Sequence, residues 1–277
     1  MENNELEIFI NKPINDSAQE YYKEYKKMKK KLDGLEKAMI ETEKRIKKIA
    51  ETKVDIKDVI KKKKLMWYEK FHFGFTKNGF LVIAGKDSSS NEYLVKTHLE
   101  KEDLLFHSTI QGSAHVILKQ GQKGEKEDYE DCALFAAIFS KAWNLGFASV
   151  DVFFVYPNQV SKTAESGEYL DKGAFVIRGE KNFFKKILMK VCIGVIDLNK
   201  FDKLAEGKRI FIGSERFFNE SNIQIIEQLI PGKGKKGDVA KTIFSKLNAE
   251  QKKEITLDEI IQILPPGTMD FVKNKKR

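Results

Sequence analysis

Near the start of the chain, apolar residues recur at alternating intervals of four and three residues. The positions are Tyr21, Tyr25, Met28, Leu32, Leu35, Met39, Thr42, Ile46 and Ile49. This spacing is the heptad pattern of a coiled-coil seam. The intervening residues are mostly Lys and Glu, as a solvated helix flank requires.

The heptad segment is expected to form a helix from about residue 17 to residue 52. Asp16 and Ser17 are the predicted capping residues, with Glu20 completing a capping box. The seam is too narrow to bury itself, so we expect a partner helix, either the run from Val54 to Met66 or a helix of a second chain. Residues 1–66 are therefore predicted to form a coiled-coil stalk.

A strand-like pattern begins at residue 67. Phe71, Phe73 and Phe75 alternate with other residues, and Asn78-Gly79 separates them from a second apolar run. Asn-Gly between two such runs predicts a hairpin, because both turn positions require positive φ.

Further strands and helices are predicted between residues 87 and 200. The strands are Asp103–His107, Ala114–Lys119, Val150–Tyr156, Ala174–Arg178 and Val191–Asp197, and the helices are Asn91–His98 and Asp128–Leu145. Strands outnumber helices and come partly in hairpins. We therefore expect an α+β domain over residues 67–200, with a mainly antiparallel or mixed sheet and packed helices.

After residue 200 the pattern changes again. It predicts a strand at Arg209–Ile212, a loop at Pro231–Gly237 and helices at Asp238–Leu247 and Leu257–Leu264. We expect residues 201–277 to form a small α/β appendage.

The net charge of +9 is unevenly placed. Residues 1–66 carry 18 Lys/Arg against 13 Asp/Glu, and residues 231–277 carry 11 against 6. The segment between them holds the remaining 21 against 22. Basic flanks on a neutral domain favour a polyanionic partner, with nucleic acid preferred over a membrane because no apolar anchor accompanies them. The alternative is a solvated, Lys-rich surface.

Cys132 and Cys192 lie far apart inside apolar runs, which indicates buried thiols in a reducing compartment. No apolar run approaches the length of a membrane span, and the N-terminus lacks the basic-then-apolar pattern of a signal peptide. We expect a cytoplasmic protein.

Two histidines are the sharpest catalytic candidates. His107 and His115 lie near the end and the start of neighbouring predicted strands, with Asp103 close by in sequence. Such a pair suits general acid–base cleavage of a phosphodiester. No carboxylate or lysine is spaced to orient either ring, so we favour nucleic-acid contact over catalysis.

The four histidines and two cysteines never fall at metal-ligand spacing, so no metal and no cofactor are predicted. The segment Pro231–Asp238 is rich in Gly and Lys and precedes a predicted helix, which suits phosphate contact by Lys235, Lys236 and backbone amides. It lacks the Gly-Lys-Ser/Thr sequence of a nucleotide-binding loop. A flexible basic turn is the alternative.

The segment from Gln159 to Asn182 is the surface we expect to decide RNA binding. Its cations Lys162, Arg178 and Lys181 lie among glycines and small polar residues, which permits close approach to phosphates. The alternative is that these cations only pair with the acidic residues between them, contacts that stabilise a fold little.

Several motifs in this chain resemble the RNA-binding domain of the NFACT family of ribosome quality-control factors. They are Trp67-Tyr68-Glu69-Lys70-Phe71, Gly85-Lys86-Asp87, Asn91-Glu92, Gln159-Val160-Ser161-Lys162-Thr163, Gly167-Glu168-Tyr169-Leu170 and Ile177-Arg178-Gly179. The start of the predicted stalk and residues 231–242 also resemble family segments. The front part of such proteins has no counterpart here, so the chain is expected to be a fragment or a short member.

The resemblance implies a protein that binds the large ribosomal subunit, with its rRNA and tRNA, when it carries a stalled peptidyl-tRNA. Such proteins help to recruit tRNA for extension of the nascent chain without a template. We expect this chain to supply an RNA- and ribosome-binding module without catalysis of its own. The alternatives are an RNA phosphodiesterase using His107 and His115, and a protein-interaction or adhesin module.

The residues expected to contact RNA combine the cations, the histidines and polar side chains of the family motifs. They are Lys86, Asn91, Lys96, His107, His115, Gln159, Lys162, Thr163, Arg178, Lys181, Lys235 and Lys236.

Overall fold

The computed structural model describes residues 14–51, 65–161 and 173–272. The chain divides into two compact units, residues 1–59 and 60–277.

The described part of the first unit is one helix, α1 (Ile14–Glu51). It begins three residues before Ser17, so the predicted capping box is wrong, and Asp16 instead lies in the first turn, where a carboxylate stabilises the positive end of the helix dipole. The seam side chains Tyr25, Met28, Leu32, Leu35 and Met39 are between 56% and 65% exposed. The proposed partner run from Val54 lies outside the described residues as far as residue 64.

The second unit contains short helices and three sheets. Its helices are α2 (Ser88–His98), α3 (Lys126–Ile138), α4 (Lys141–Asn144), α5 (Glu215–Glu220), α6 (Lys236–Lys246), α7 (Ala249–Glu254) and α8 (Leu257–Ile263). Its strands are β1 (His72–Phe75), β2 (Leu81–Ala84), β3 (Leu104–Ser108), β4 (Val116–Leu118), β5 (Ser149–Val155), β6 (Val160–Ser161), β7 (Val176–Ile177), β8 (Asn182–Leu188), β9 (Val191–Asp197), β10 (Lys208–Gly213), β11 (Ile225–Gly234) and β12 (Met269–Phe271).

The strands pair in antiparallel fashion throughout. A six-stranded sheet has the order β1-β2-β4-β3-β5-β8, a four-stranded sheet has the order β10-β9-β11-β12, and β6 pairs with β7. Mixed helices and antiparallel sheets confirm the predicted α+β fold.

The larger sheet is buried on both faces. On β3, Leu104 and Phe106 belong to one apolar cluster, and Leu105 belongs to the other. Helix α3 packs on the first face through Cys132 and Ala136, while Leu94 of α2 packs on the second. Alternation along a strand sends neighbouring side chains to opposite faces, so both helices have an apolar surface to cover.

The hairpin between β1 and β2 forms as predicted, but its turn is different. Gly79 has a φ of +84°, whereas Asn78 does not have positive φ. The Gly79 N–H donates to the Thr76 carbonyl, and the Thr76 N–H donates to the Phe80 carbonyl, both at 2.9 Å. The Asn78 side chain donates instead to Asp128 of α3 at 2.9 Å. The turn therefore has one residue with positive φ and not two, and the Asn78 side chain hydrogen-bonds to α3.

Two other predicted elements are wrong. The helix predicted at Asp128–Leu145 ends at Ile138, because Ser140 caps the separate helix α4 and its hydroxyl accepts from the Ala142 N–H at 3.2 Å. The loop predicted at Pro231–Gly237 is largely the end of β11, which pairs with β12.

Strand β9 lies before the predicted domain boundary at residue 200, and it pairs with β10 and β11, which lie after it. A boundary at this position stays a prediction. Cys132 and Cys192 are buried free thiols, as predicted.

Candidate nucleic-acid interface

One cleft of the second unit contains five of the predicted RNA-contacting residues, with a volume of about 890 Å³. They are Lys86, Asn91, His107, His115 and Lys236. The segments that meet at the cleft include the β2–α2 turn, the β3–β4 region, the junction of α3 and α4, the residues leading into β7, and the start of α6. The cleft therefore brings together residues that are up to 150 positions apart, from 86 to 236.

The β2–α2 turn is held by a capped helix. The Asp87 carboxylate accepts from the Ser90 N–H at 2.8 Å, which satisfies a free donor at the start of α2. Gly85 has no room for a β-carbon, because such an atom would lie 2.8 Å from the Asn91 backbone nitrogen and closer still to the Asn91 side-chain oxygen. This contact fixes Lys86 at the edge of the cleft.

The Asn91 side chain is engaged within the protein. Its oxygen accepts from the His115 backbone N–H at 3.0 Å, and its amide donates to the Ser113 carbonyl at 3.4 Å. Asn91 is 8% exposed, so it orients the segment that carries His115.

Two lysines share the cleft wall with a neutral histidine. Burial lowers the pKa of Lys86, and burial together with the Lys86 charge lowers the pKa of Lys236. The Lys236 ammonium donates to the Leu264 carbonyl at 2.8 Å. Burial and both lysine charges lower the pKa of His72 to about 3, and its ring stacks on Phe139 with 4.0 Å between centroids. The His72 side chain therefore packs within the protein.

His107 and His115 do lie together, as their strand positions predicted. Their ring centroids are 4.8 Å apart. Burial lowers the pKa of His107, and burial lowers the pKa of His115 to about 3. Nδ1 of His115 is fully covered and has no hydrogen-bond partner.

Asp103 is not an orienting group for these histidines. It lies before the opposite end of β3 and pairs with Lys119 at 2.6 Å, while its other oxygen accepts from the Gln120 N–H at 2.8 Å. This agrees with the expectation that no carboxylate orients either ring.

The other predicted contact residues divide into several environments. Lys96 pairs with Glu92 at 2.7 Å on the exposed side of α2. The Gln159 amide donates to the carbonyls of Arg178 and Glu180, both at 2.8 Å, so this side chain joins two loops. Lys162 and Thr163 lie outside the described residues.

Lys181 belongs to the predicted Gln159–Asn182 surface and lies near His107 of the cleft. Its ammonium lies 4.6 Å from the centre of the Phe153 ring, and its charge contributes to the lowered pKa of His107. Arg178 follows β7, and its backbone N–H donates to the Gln159 carbonyl at 2.9 Å.

Two backbone amides of the basic segment at residues 231–237 are engaged within the protein. The Gly234 N–H donates to Asp270 at 3.0 Å, and the Gly232 N–H donates to the Thr268 carbonyl at 3.4 Å. These amides are used by the β11–β12 pairing, so the prediction of backbone phosphate contact is wrong for them. Lys235 is exposed immediately before α6.

Sequence reasoning missed Lys141 and Phe175, which also line the cleft. Lys141 follows the Ser140 cap, and a Ser-Lys pair in an apolar helical run was the available signal. Phe175 had no local signal. Two residues before it, Gly173 has a φ of +84°. A β-carbon at Gly173 would lie 2.5 Å from the Ser88 carbonyl oxygen, so a glycine there lets the segment that carries Phe175 pass close to α2.

Across the described ranges, no group of three or more His, Cys, Asp or Glu residues is placed to hold a metal ion. The helices that the structure describes include none with the length and apolarity needed to cross a membrane.

The family described as "NFACT protein RNA binding domain" matches residues 64–179, a range that includes most of the cleft lining but not Lys236. The archaeal Rqc2 homolog aRqcH of Methanocaldococcus jannaschii is 38% identical over 215 residues, covering 76% of this chain and 30% of that protein. The human ribosome quality control complex subunit NEMF is 34% identical over 173 residues, covering 60% of this chain and 16% of that protein.

Among solved structures, the C-terminal part of a fibronectin/fibrinogen-binding protein from Streptococcus suis covers 71% of this chain and 82% of that one. Its TM-score is 0.38 and its identity is 20%, so no argument about function or residues follows from it.

The matched region, which includes most of the cleft lining, is an NFACT-type RNA-binding domain. The chain is similar over most of its length to part of the archaeal and animal ribosome quality control proteins.

Proposed function

We propose that this chain is an RNA-binding module of a ribosome quality-control factor. It binds the large ribosomal subunit that carries a stalled peptidyl-tRNA, through rRNA and tRNA phosphates, and helps to recruit tRNA for template-independent extension. Support for the ribosomal context comes from the names of the relatives, of which this chain spans less than a third.

The observation that carries the proposal is the charge of the cleft. Within the described residues its lining contains three lysines, Lys86, Lys141 and Lys236, and one carboxylate, Asp87. The Asp87 carboxylate also caps α2. The cleft is therefore cationic, although the residues between 67 and 230 are nearly neutral as a whole.

Burial makes these lysines suitable for phosphate. Burial lowers the pKa of Lys86, and burial together with the Lys86 charge lowers the pKa of Lys236. We infer that both ammonium groups are poorly solvated and that the Lys86 charge repels that of Lys236. A phosphate between them would reduce the repulsion and replace lost solvation. Phosphate contacts of this kind supply affinity without sequence specificity.

The test uses the complete chain and the double variant Lys86→Met with Lys236→Met. Binding to single-stranded RNA is measured by fluorescence anisotropy, and binding to large ribosomal subunits is measured by co-sedimentation. We expect the RNA affinity to fall by more than about tenfold, because each charged contact contributes about 1.5–3 kcal/mol.

The matched control is Lys200→Met with Lys203→Met, which removes the same charge at two exposed positions outside the cleft lining. The melting temperature of each variant is measured as well, because Lys236 also bonds to Leu264. A folded cleft variant that binds RNA like the wild type would contradict the proposal.

The Gln159–Asn182 surface is proposed to continue the phosphate path beyond the cleft. Lys181 supports this because it lies close enough to influence His107. Lys96, Arg178 and Lys235 are proposed as peripheral contacts.

A further inference from the structure

One end of the cleft differs chemically from the lysine-lined part. His107, His115, Asn91 and Phe175 all line it. The His115 ring is 4.8 Å from the His107 ring and 5.3 Å from the Phe175 ring, which meets it edge-on. Because these rings are not parallel to one another, another planar group can pack against the face or the edge of a ring.

The histidines at this end are uncharged at neutral pH. Burial lowers the pKa of both rings, and the Lys181 charge lowers the pKa of His107 further. A neutral imidazole carries one N–H donor and one acceptor nitrogen. That combination fits the edge of a nucleobase, which also presents donors and acceptors, better than it fits an anionic phosphate.

Part of the hydrogen-bonding capacity of this end is closed to a ligand. His115 is 7% exposed, and its Nδ1 is fully covered without a hydrogen-bond partner. Nδ1 of His107 lies 2.5 Å from the Ser108 carbonyl oxygen. This leaves the Nε2 atoms of the two rings for a ligand. The backbone N–H of His115 is held by Asn91, so the ring is anchored in place.

We propose that the end of the cleft formed by His107, His115, Asn91 and Phe175 binds one unstacked nucleobase of single-stranded RNA. The lysines hold the flanking phosphates, and the base packs against the aromatic rings and pairs with the Nε2 atoms of the two histidines. This inference rests on the proposed RNA-binding function. It adds recognition of a base to a site that would otherwise detect only backbone charge.

The test compares two ligands of equal length by fluorescence anisotropy with the complete chain. One is a short single-stranded RNA, and the other is the same ribose-phosphate chain without bases. The wild type is expected to bind the RNA with bases at least about tenfold more tightly, which is the lower limit for one hydrogen bond together with stacking.

The diagnostic variant is His115→Phe, which keeps a flat ring and removes both nitrogens. It is expected to reduce the preference for bases to the part that comes from stacking, while its affinity for the abasic chain stays unchanged. The matched control is His98→Phe, because His98 also has a buried nitrogen without a partner but does not line the cleft. The control is expected to keep the preference.

The outcomes separate this inference from the function on which it rests. Equal binding of both ligands by the wild type would overturn base recognition and leave phosphate binding intact, whereas failure to bind either ligand would overturn both. A His115→Phe protein that melts like the wild type and keeps the full preference would also overturn it. If His115→Phe does not fold, His107→Phe takes its place with the same expected reduction.

Discussion

At the scale of single residues, several side chains of the family-like motifs serve the fold. Gln159 and Asn91 were predicted to contact RNA, yet both use their amides to join loops and strands of the second unit. A polar residue in a basic, Gly-containing segment can contact RNA or can hydrogen-bond within the protein. Which of the two it does depends on the backbone groups that surround it in the fold. Their substitution is therefore expected to act on RNA binding through the position of Arg178 or His115.

His72 gives a prediction about stability. Its pKa falls from 6.5 to about 3 on folding, so between these values the unfolded chain binds a proton that the folded chain does not. The contribution of the neutral ring is fully present above pH 6.5 and is lost as the pH falls towards 3. Replacing His72 by Phe, which can still stack on Phe139, should reduce the acid sensitivity of the folded state.

The measurement is the free energy of unfolding of the wild type and His72→Phe at several pH values. The difference between them should change by at most about 1.4 kcal/mol per pH unit, the limit for one proton. Parallel pH profiles for the two proteins would show that His72 does not titrate in this way.

At the scale of elements, hydrophobic periodicity located most strands because it reports which residues face a core. Strand β9 has the predicted bounds, Val191–Asp197. Strand β8 was missed because its side chains are mostly exposed and its sequence mixes Phe with Lys. An edge strand that is only partly buried, here through Phe184 and Ile187, carries a weak signal of this kind, and its pairing with β5 is a tertiary event.

Helix α1 carries the second prediction. Its seam residues from Tyr21 to Met39 are exposed, and a heptad seam gains stability only by packing against a partner. Leu32→Lys with Leu35→Lys should reduce helix content by circular dichroism and weaken ribosome co-sedimentation, while the second unit stays folded.

The control for this experiment is Ala38→Lys with Ile40→Lys, two changes of the same charge at positions off the seam. If the seam variant keeps the helix content and the ribosome binding of the wild type, then the seam is not a packing surface.

At the scale of the whole molecule, the cationic cleft predicts steep dependence of RNA binding on salt. A protein that neutralises about five phosphates of single-stranded RNA should show a slope of roughly −3 to −4 in a plot of log affinity against log salt. The double variant Lys86→Met with Lys236→Met should reduce this slope by about 1.4, because each lost phosphate contact removes about 0.7. The measurement is anisotropy over a salt series. A flat dependence in the wild type would mean that stacking dominates the affinity.

The sequence by itself determined the α+β class, the long helix with its heptad seam, the hairpin at Asn78-Gly79 and the placement of His107 beside His115. These features depend on periodicity, turn chemistry and strand order, which are local properties. The family motifs in the sequence also indicated the RNA-binding domain before any contact was known.

Only the tertiary structure decided which cations share a site. Lys86 and Lys236 are far apart in the chain, and they meet because α6 begins close to the β2–α2 turn. The pairing of β11 with β12 removed the amides of residues 232 and 234 from the predicted phosphate loop. Burial, which no short motif encodes, made the histidines neutral and lowered the pKa of both lysines. The physical reason is that solvation and charge repulsion depend on every element packed around a group, whereas a sequence pattern records only its neighbours along the chain.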